Sequence, residues 1–258
     1  MDWLLFSILI VLFWTFSLCV VLGVSCNQST PFSAGRRNIL LVVAHPDDES
    51  MFFSPTILYL TSMGHNVHVL CMSTGNADGK GSLREEELYK ACEVLRVPFR
   101  QVKILNHPVL QDGFSNTWSH QLLARVVGDE IAIHGIDLVI TFDSYGVSGH
   151  PNHCDVYHGT RLLVSENSRN IEAWKLGGTS VGTSSSITRK YIGPVDVWFS
   201  LLWGLCHPRG QICCILNGHP QQSFLAMARH ASQWVWFRKL FVVFSSYTYI
   251  NTLQKINK

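Results

Sequence analysis

The sequence predicts an α/β protein: a Rossmann-like three-layer sandwich with a mostly parallel sheet, preceded by an N-terminal transmembrane helix. Three observations predict it. Short apolar runs rich in β-branched residues and free of polar alternation, such as Ile39-Leu40-Leu41-Val42-Val43 and Leu138 to Phe142, read as strands buried on both faces. Helix-length segments separate them, the alternation that builds parallel βαβ units. From Trp3 to Val24 there is no charged residue, about 22 positions, enough to cross a ~30 Å hydrocarbon core as a helix.

Taken in order, residues 1–25 are the expected anchor. A cleaved signal peptide fits less well, because the amino end carries Asp2 and no Lys or Arg and the apolar run is long. The first basic residues, Arg36 and Arg37, follow the span, which puts the rest of the chain on the cytosolic side. Residues 26–37 are a polar linker, and 38–220 the α/β domain. After the first strand, Met51 to Met63 reads as a helix stopped by Gly64, Asn66 to Met72 as a second strand, and Gly75 to Ser82 as a Gly-rich loop. Leu83 to Leu95 reads as a helix with acidic residues in its first turn, where the helix dipole favours them. Gln101 to Leu105 reads as a third strand, Ser119 to His134 as a helix ending at Gly135, and Leu138 to Phe142 as another strand.

Beyond Ser165 the pattern weakens. Gly177 to Ser186 reads as a flexible loop, Val195 to Leu205 is apolar but too short to span a bilayer, and Gln211 to Leu216 reads as a late strand. Residues 221–258 form a C-terminal segment, helical to about Tyr249, that interleaves aromatic groups with Arg238 and Lys239. It packs on the domain or on a membrane surface.

The net charge of +2, with Lys and Arg scattered, gives no case for nucleic acid. Eight cysteines without a C-x-x-C pair read as reduced thiols.

Chemistry concentrates where the first strand ends. Ala44-His45-Pro46-Asp47-Asp48-Glu49 places an imidazole and three carboxylates within five residues, at the sheet edge where open α/β folds bind ligands. A divalent cation would justify so much like charge. His45 and Asp48 lie three apart at a strand-to-turn junction and can converge on one point, leaving Asp47 free to act as a base. A second His pair, in Ser148-Gly149-His150-Pro151-Asn152-His153, follows the strand Leu138 to Phe142 and emerges on the same edge. The remaining histidines, His230 among them, show no ligand spacing and read as structural or surface residues.

Together these two blocks resemble the PIG-L and LmbE-type zinc-dependent N-deacetylases, from about Ile39 to Glu166. With the anchor and the ending Ser232-Gln233 to Asn251-Thr252-Leu253, the chain is similar to the eukaryotic branch, which acts on N-acetylglucosaminyl-phosphatidylinositol in glycolipid-anchor synthesis. The resemblance implies metal ligands His45, Asp48 and His153, Asp47 as general base, and His150 as donor to the oxyanion. It also implies a divalent metal, zinc by the His and carboxylate donors though iron or manganese is compatible, a glycolipid substrate, and an endoplasmic reticulum membrane. A family pattern G-E-x-R-x-x-E-L matches Gly81, Arg84, Glu87 and Leu88, with Ser82 in place of Glu. Arg84 is thereby a candidate phosphate contact, or equally a solvated helix charge beside Glu85 or Glu87. Glu49 either braces a ligand or caps the following helix. Two other readings stay open: a deacetylase of another N-acetylglucosamine conjugate, and a non-catalytic membrane adaptor, against which the full set of His and Asp residues argues.

Overall fold

The computed structural model describes residues 2–25, 31–32, 35–166, 171–177, 197, 200 and 211–257. After helix α1 (Asp2–Ser25) come β1 (Asn38–Val43), α2 (Asp48–Met51), α3 (Ser54–Ser62), β2 (Asn66–Cys71), α4 (Gly81–Val94), β3 (Val102–Ile104), α5 (His120–His134) and β4 (Leu138–Thr141). Then follow α6 (Gly146–Gly149), α7 (Pro151–Glu166), β5 (Glu172–Gly177), β6 (Ile212–Leu216), α8 (Pro220–Arg229), α9 (Trp236–Phe244) and β7 (Ile250–Lys255).

Seven strands form one sheet in the order β3-β2-β1-β4-β5-β7-β6. β1 to β5 are parallel, and β7 runs antiparallel between β5 and β6. The predicted mostly parallel α/β architecture is thus observed. Its central strands are the apolar runs of the sequence: β1 is buried from Ile39 to Val43 and β4 throughout. Helices cover both faces, α3, α4 and α8 on one and α5 packed against α7 on the other. The chain leaves β1 towards β2 and returns on its other side as β4, so the switch point of the sheet lies between β1 and β4. Doubly wound folds bind their ligands in the crevice at that point.

Three elements depart from the sequence reading. The helix expected over Met51 to Met63 is split into α2 and α3, broken by Phe52 and Phe53 and restarted with Pro55 in its first turn. β5, unread in the sequence, carries the wholly buried Trp174; the loop expected over Gly177 to Ser186 lies outside the described residues beyond Gly177. The C-terminal segment is not helical to Tyr249 but ends as β7, threaded into the sheet. Asn251 on that strand is fully buried, accepting from the Thr56 hydroxyl at 2.7 Å and donating to the Phe52 carbonyl at 2.9 Å.

Among the described residues no helix is long and apolar enough to cross a membrane. The backbone of α1 is helical over 24 residues. Its continuous run of described side chains, Trp3–Phe13, covers only about 16 Å at ~1.5 Å per residue, so the expected transmembrane helix is not established by the fold. The described cysteines Cys71, Cys92, Cys154, Cys213 and Cys214 are free thiols.

Candidate active site

The end of β1 is a tight, strained turn. Asp47 has φ 125°, a conformation costly for any residue but glycine, and such strain tends to collect at functional sites. Side chains of the same motif hold it. Asp48 Oδ2 accepts from the backbone N–H groups of Ala44 (3.1 Å) and His45 (2.8 Å). Glu49 accepts from the Asp47 N–H at 3.1 Å and the Ser50 hydroxyl at 2.6 Å. A second strained residue, Val147 at φ 60°, precedes the other His pair.

Across the switch point, His153 from α7 meets His45 and Asp48 from the β1 turn. His45 Nδ1 and His153 Nε2 lie 3.3 Å apart, Asp48 Oδ1 is 3.2 Å from His153 Nε2, and Asp48 Oδ2 is 3.7 Å from His45 Nδ1. The outer nitrogens each face an acceptor. His153 Nδ1 faces the Gly146 carbonyl at 3.0 Å and so carries its proton. His45 Nε2 faces Asp112 Oδ1 at 3.0 Å and Asn152 Oδ1 at 3.2 Å, so its proton sits there. The inner nitrogens of both rings therefore converge with an Asp48 oxygen on one point; with the imidazoles neutral, all three are donors to a cation there. Phe142 stacks flat on His153 at 4.2 Å and fixes the ring.

His150 completes the cluster. His45, His150 and His153 bring ligand atoms within 4.8 Å of one another, a group able to hold a metal. The His150 ring lies on its neighbours with centroids 4.8 Å from His45 and 4.9 Å from His153. The Asn152 N–H donates to His150 Nδ1 at 3.3 Å, which leaves the proton on Nε2.

Electrostatics follow the geometry. Burial alone would lift the Asp48 carboxyl, but His153 and His45 hold it well below the usual range. Burial would depress His45, yet Asp112, Asp48 and Asp47 outweigh it and raise it: the carboxylates demand positive charge here. Burial lowers His150 to about 4, helped by His45 and His153, so its imidazole is neutral at pH 7. Burial raises Asp47, against the pull of Arg238 and Arg84.

Arg84 does not reach out into the cleft as a free charge. It is buried, donates to the carbonyls of Gly75 and Pro46 at 2.7 Å each, and lies 3.4 Å from Asp112 and 3.6 Å from Asp47. Its role is to fasten the two loops beneath Asp47. Arg238 of α9 lines the cleft as well, 3.1 Å from Asp47 Oδ2 and more exposed than Arg84. The cleft has a volume of about 410 Å³ and runs from the His cluster to Phe114, Phe237 and Phe241.

Sequence reasoning did not single out Asp112, Asn152, Arg238 or His230. Asn152 stood inside the His150-to-His153 block, and that position was its signal. Asp112 sits in an aperiodic loop and Arg238 in a segment read only as aromatic and basic. His230 pairs with Glu49 at 2.7 Å with both side chains fully buried, tying the C-terminal segment to the β1 turn. Ser232 adds to this tie through its N–H and hydroxyl, both donated to Glu87. Glu49 thus ties the C-terminal segment to the β1 turn, and it also accepts from the N–H of Asp47 at the start of α2.

A family model described as PIG-L, GlcNAc-PI de-N-acetylase, matches residues 40–164. An N-acetylglucosaminyl-phosphatidylinositol de-N-acetylase of Bos taurus is 39% identical over 222 residues, 85% of this chain and 83% of that one. The chain belongs to the PIG-L family. A probable enzyme of the same name from Schizosaccharomyces pombe is 36% identical over 94% of this chain and 98% of its own length. Solved structures share the PIG-L fold at low identity. The N,N'-diacetylchitobiose deacetylase of Pyrococcus horikoshii superposes with a TM-score of 0.55 at 16% identity, covering 81% of this chain and 74% of that one. The zinc-inhibited form of teicoplanin deacetylase Orf2 gives 0.54 at 15%, covering 84% and 97%. The matched PIG-L region ends at 164, so His230 and Arg238 come from outside it.

Proposed function

We propose that this PIG-L chain removes the N-acetyl group of N-acetylglucosaminyl-phosphatidylinositol, giving glucosaminyl-phosphatidylinositol and acetate in GPI-anchor biosynthesis. One observation carries the chemistry: the convergence of His45 Nδ1, His153 Nε2 and an Asp48 oxygen, with the Asp47 carboxylate alongside. Relatives over 30% identical that bear this enzyme's name support the substrate.

The donor set fits a tetrahedral ion. Bonds of ~2.0–2.1 Å would space ligand atoms roughly 3.4 Å apart, close to the observed 3.2, 3.3 and 3.7 Å. Three protein donors leave a fourth position, the arrangement of hydrolytic zinc sites. His45, Asp48 and His153 would hold the metal, with zinc the assignment for two imidazoles and a carboxylate. When bound, it would supply Lewis-acid polarisation of the acetyl carbonyl and acidify water.

The chain's own residues do the rest. Asp47, made more basic by burial, takes the proton of the attacking water as its oxygen bonds to the acetyl carbon. His150, neutral and protonated on Nε2, donates to the carbonyl oxygen as that atom gains charge. As the C–N bond breaks, Asp47 returns its proton to the glucosamine nitrogen. Both Arg84 and Arg238 line the cleft, and the substrate's phosphate is assigned to Arg238, whose side chain is the more exposed of the two. In this reading residues 1–25 are a single span of the endoplasmic reticulum membrane and the catalytic domain is cytosolic. The uncharged run Trp3 to Val24 and the following Arg36 and Arg37 support that placement.

The test is acetate release from the glycolipid by purified protein, with and without chelator. Release that stops with chelator and returns with zinc is expected. Release indifferent to chelator contradicts the metal reading, and none from metal-loaded protein contradicts the substrate.

A further inference from the structure

α9 is built inside out for a surface helix. Its outward stripe, spaced i, i+4, i+7 and i+8, is Trp236 (72% exposed), Leu240 (44%), Val243 (42%) and Phe244 (50%), while Phe241 and Val242 anchor the opposite face in the core. Surface helices normally turn charged and polar residues outward; here the only polar outward residue is Lys239. The apolar patch runs on into α8, where the 41% exposed Phe224 packs edge-on against Trp234 at 5.0 Å. Exposed apolar patches of this kind mark contact surfaces.

Charge identifies what it contacts. From Pro220 to Lys258 there is no Asp or Glu, but five Lys or Arg: Arg229, Arg238, Lys239, Lys255 and Lys258. An apolar stripe with the exposed Lys239 on its own helix, in a segment without carboxylates, complements the acyl-chain boundary and anionic headgroups of a phospholipid bilayer. The same helix also edges the catalytic cleft, through Phe237, Arg238 and Phe241. A diacyl glycolipid keeps its two acyl chains in the bilayer, so the mouth of a cleft that takes its headgroup has to meet the lipid plane.

We infer that α9 is an interfacial docking helix: Trp236, Leu240, Val243 and Phe244 lie in the headgroup boundary of an anionic bilayer and bring the cleft to the lipid plane. The inference deepens the glycolipid reading, on which its account of the cleft mouth rests. At nine residues the helix lies along the surface and does not cross it.

The test reconstitutes the full chain in phosphatidylcholine–phosphatidylserine vesicles and compares it with Trp236→Phe. The tryptophan emission lost in the variant is expected to be quenched by lipids brominated on their acyl chains and shielded from aqueous iodide. Emission open to iodide and untouched by bromine overturns docking. Shielding that appears only as the protein dimerises also overturns it, assigning the face to a second copy. A second measurement uses Leu240→Glu and Phe244→Glu, both outside the cleft lining. Turnover of bilayer-embedded glycolipid is expected to fall about tenfold or more, while turnover of a short-chain monomeric analogue stays within about twofold. Equal losses on both substrates overturn the inference. Quenching needs no turnover, so a chain that inserts Trp236 but releases no acetate contradicts the proposed activity alone.

Discussion

Asp47 shows how one residue can combine strain, burial and charge. Its backbone sits at φ 125° because Glu49 and Asp48 hold the turn around it, and its carboxyl is raised by burial while two guanidiniums face it. Asp47→Asn keeps the shape and removes the base, so kcat is expected to fall about 10²–10⁴-fold with metal content unchanged in elemental analysis. Retained turnover would mean another base. Asp112 acts one step further out, accepting the His45 Nε2 proton and so exposing the Nδ1 lone pair. Asp112→Ala is expected to weaken metal affinity about 10–100-fold in a competition titration; an unchanged affinity would remove it from the site. His45, Asp47, Asp48, Glu49, His150 and His153 could be read from the sequence because two short blocks carry them at fixed spacing. Asp112 and Arg238 could not, since their loops have no periodicity and only the folded sheet brings them to the cleft. Arg84 was legible as a residue, but its carbonyl partners at Gly75 and Pro46 were not, because they are three-dimensional neighbours.

Among the elements, the turn into α7 sets the position of His153. Gly146, at φ +63°, would with a Cβ meet His153 Cβ at 2.7 Å and the Cys154 nitrogen at 2.9 Å. Its carbonyl also takes the His153 Nδ1 proton. Gly146→Ala is therefore expected to shift His153 and lower metal affinity about 10-fold or more, read by the same titration. The C-terminal segment is braced from below by the buried Glu49–His230 pair. Glu49→Ala strands His230 and frees the Asp47 N–H, and a loss of about 3–5 kcal/mol in urea unfolding is expected; a loss near zero would show the pair to be idle. The parallel strands were legible because burial on both faces makes them continuous apolar runs. β7 was not, since Asn251, Thr252 and Gln254 interrupt its apolar pattern. Asn251 is met inside the protein by Thr56 and Phe52, whereas Gln254 is exposed.

For the molecule as a whole, topology makes the site. β1 and β4 are neighbours although about a hundred residues separate them, and the switch between them brings the two His blocks to one crevice. That outcome was readable from the strand pattern alone. What lay beyond it was how residues 221–258 weave back, delivering Arg238 to the cleft and α9 to its rim. Deleting residues 1–25 is expected to cut turnover of bilayer glycolipid much more than that of a short-chain analogue, because the proposed anchor would raise local substrate concentration. Equal effects on both would remove the membrane argument for α1.

The most direct test is zinc bound per chain, measured by elemental analysis after dialysis, for the wild type and for His45→Ala, Asp48→Ala and His153→Ala. One equivalent in the wild type, lost from all three variants in step with acetate release, is the expected result. A variant that is folded, inactive and still fully loaded would contradict the centre described here.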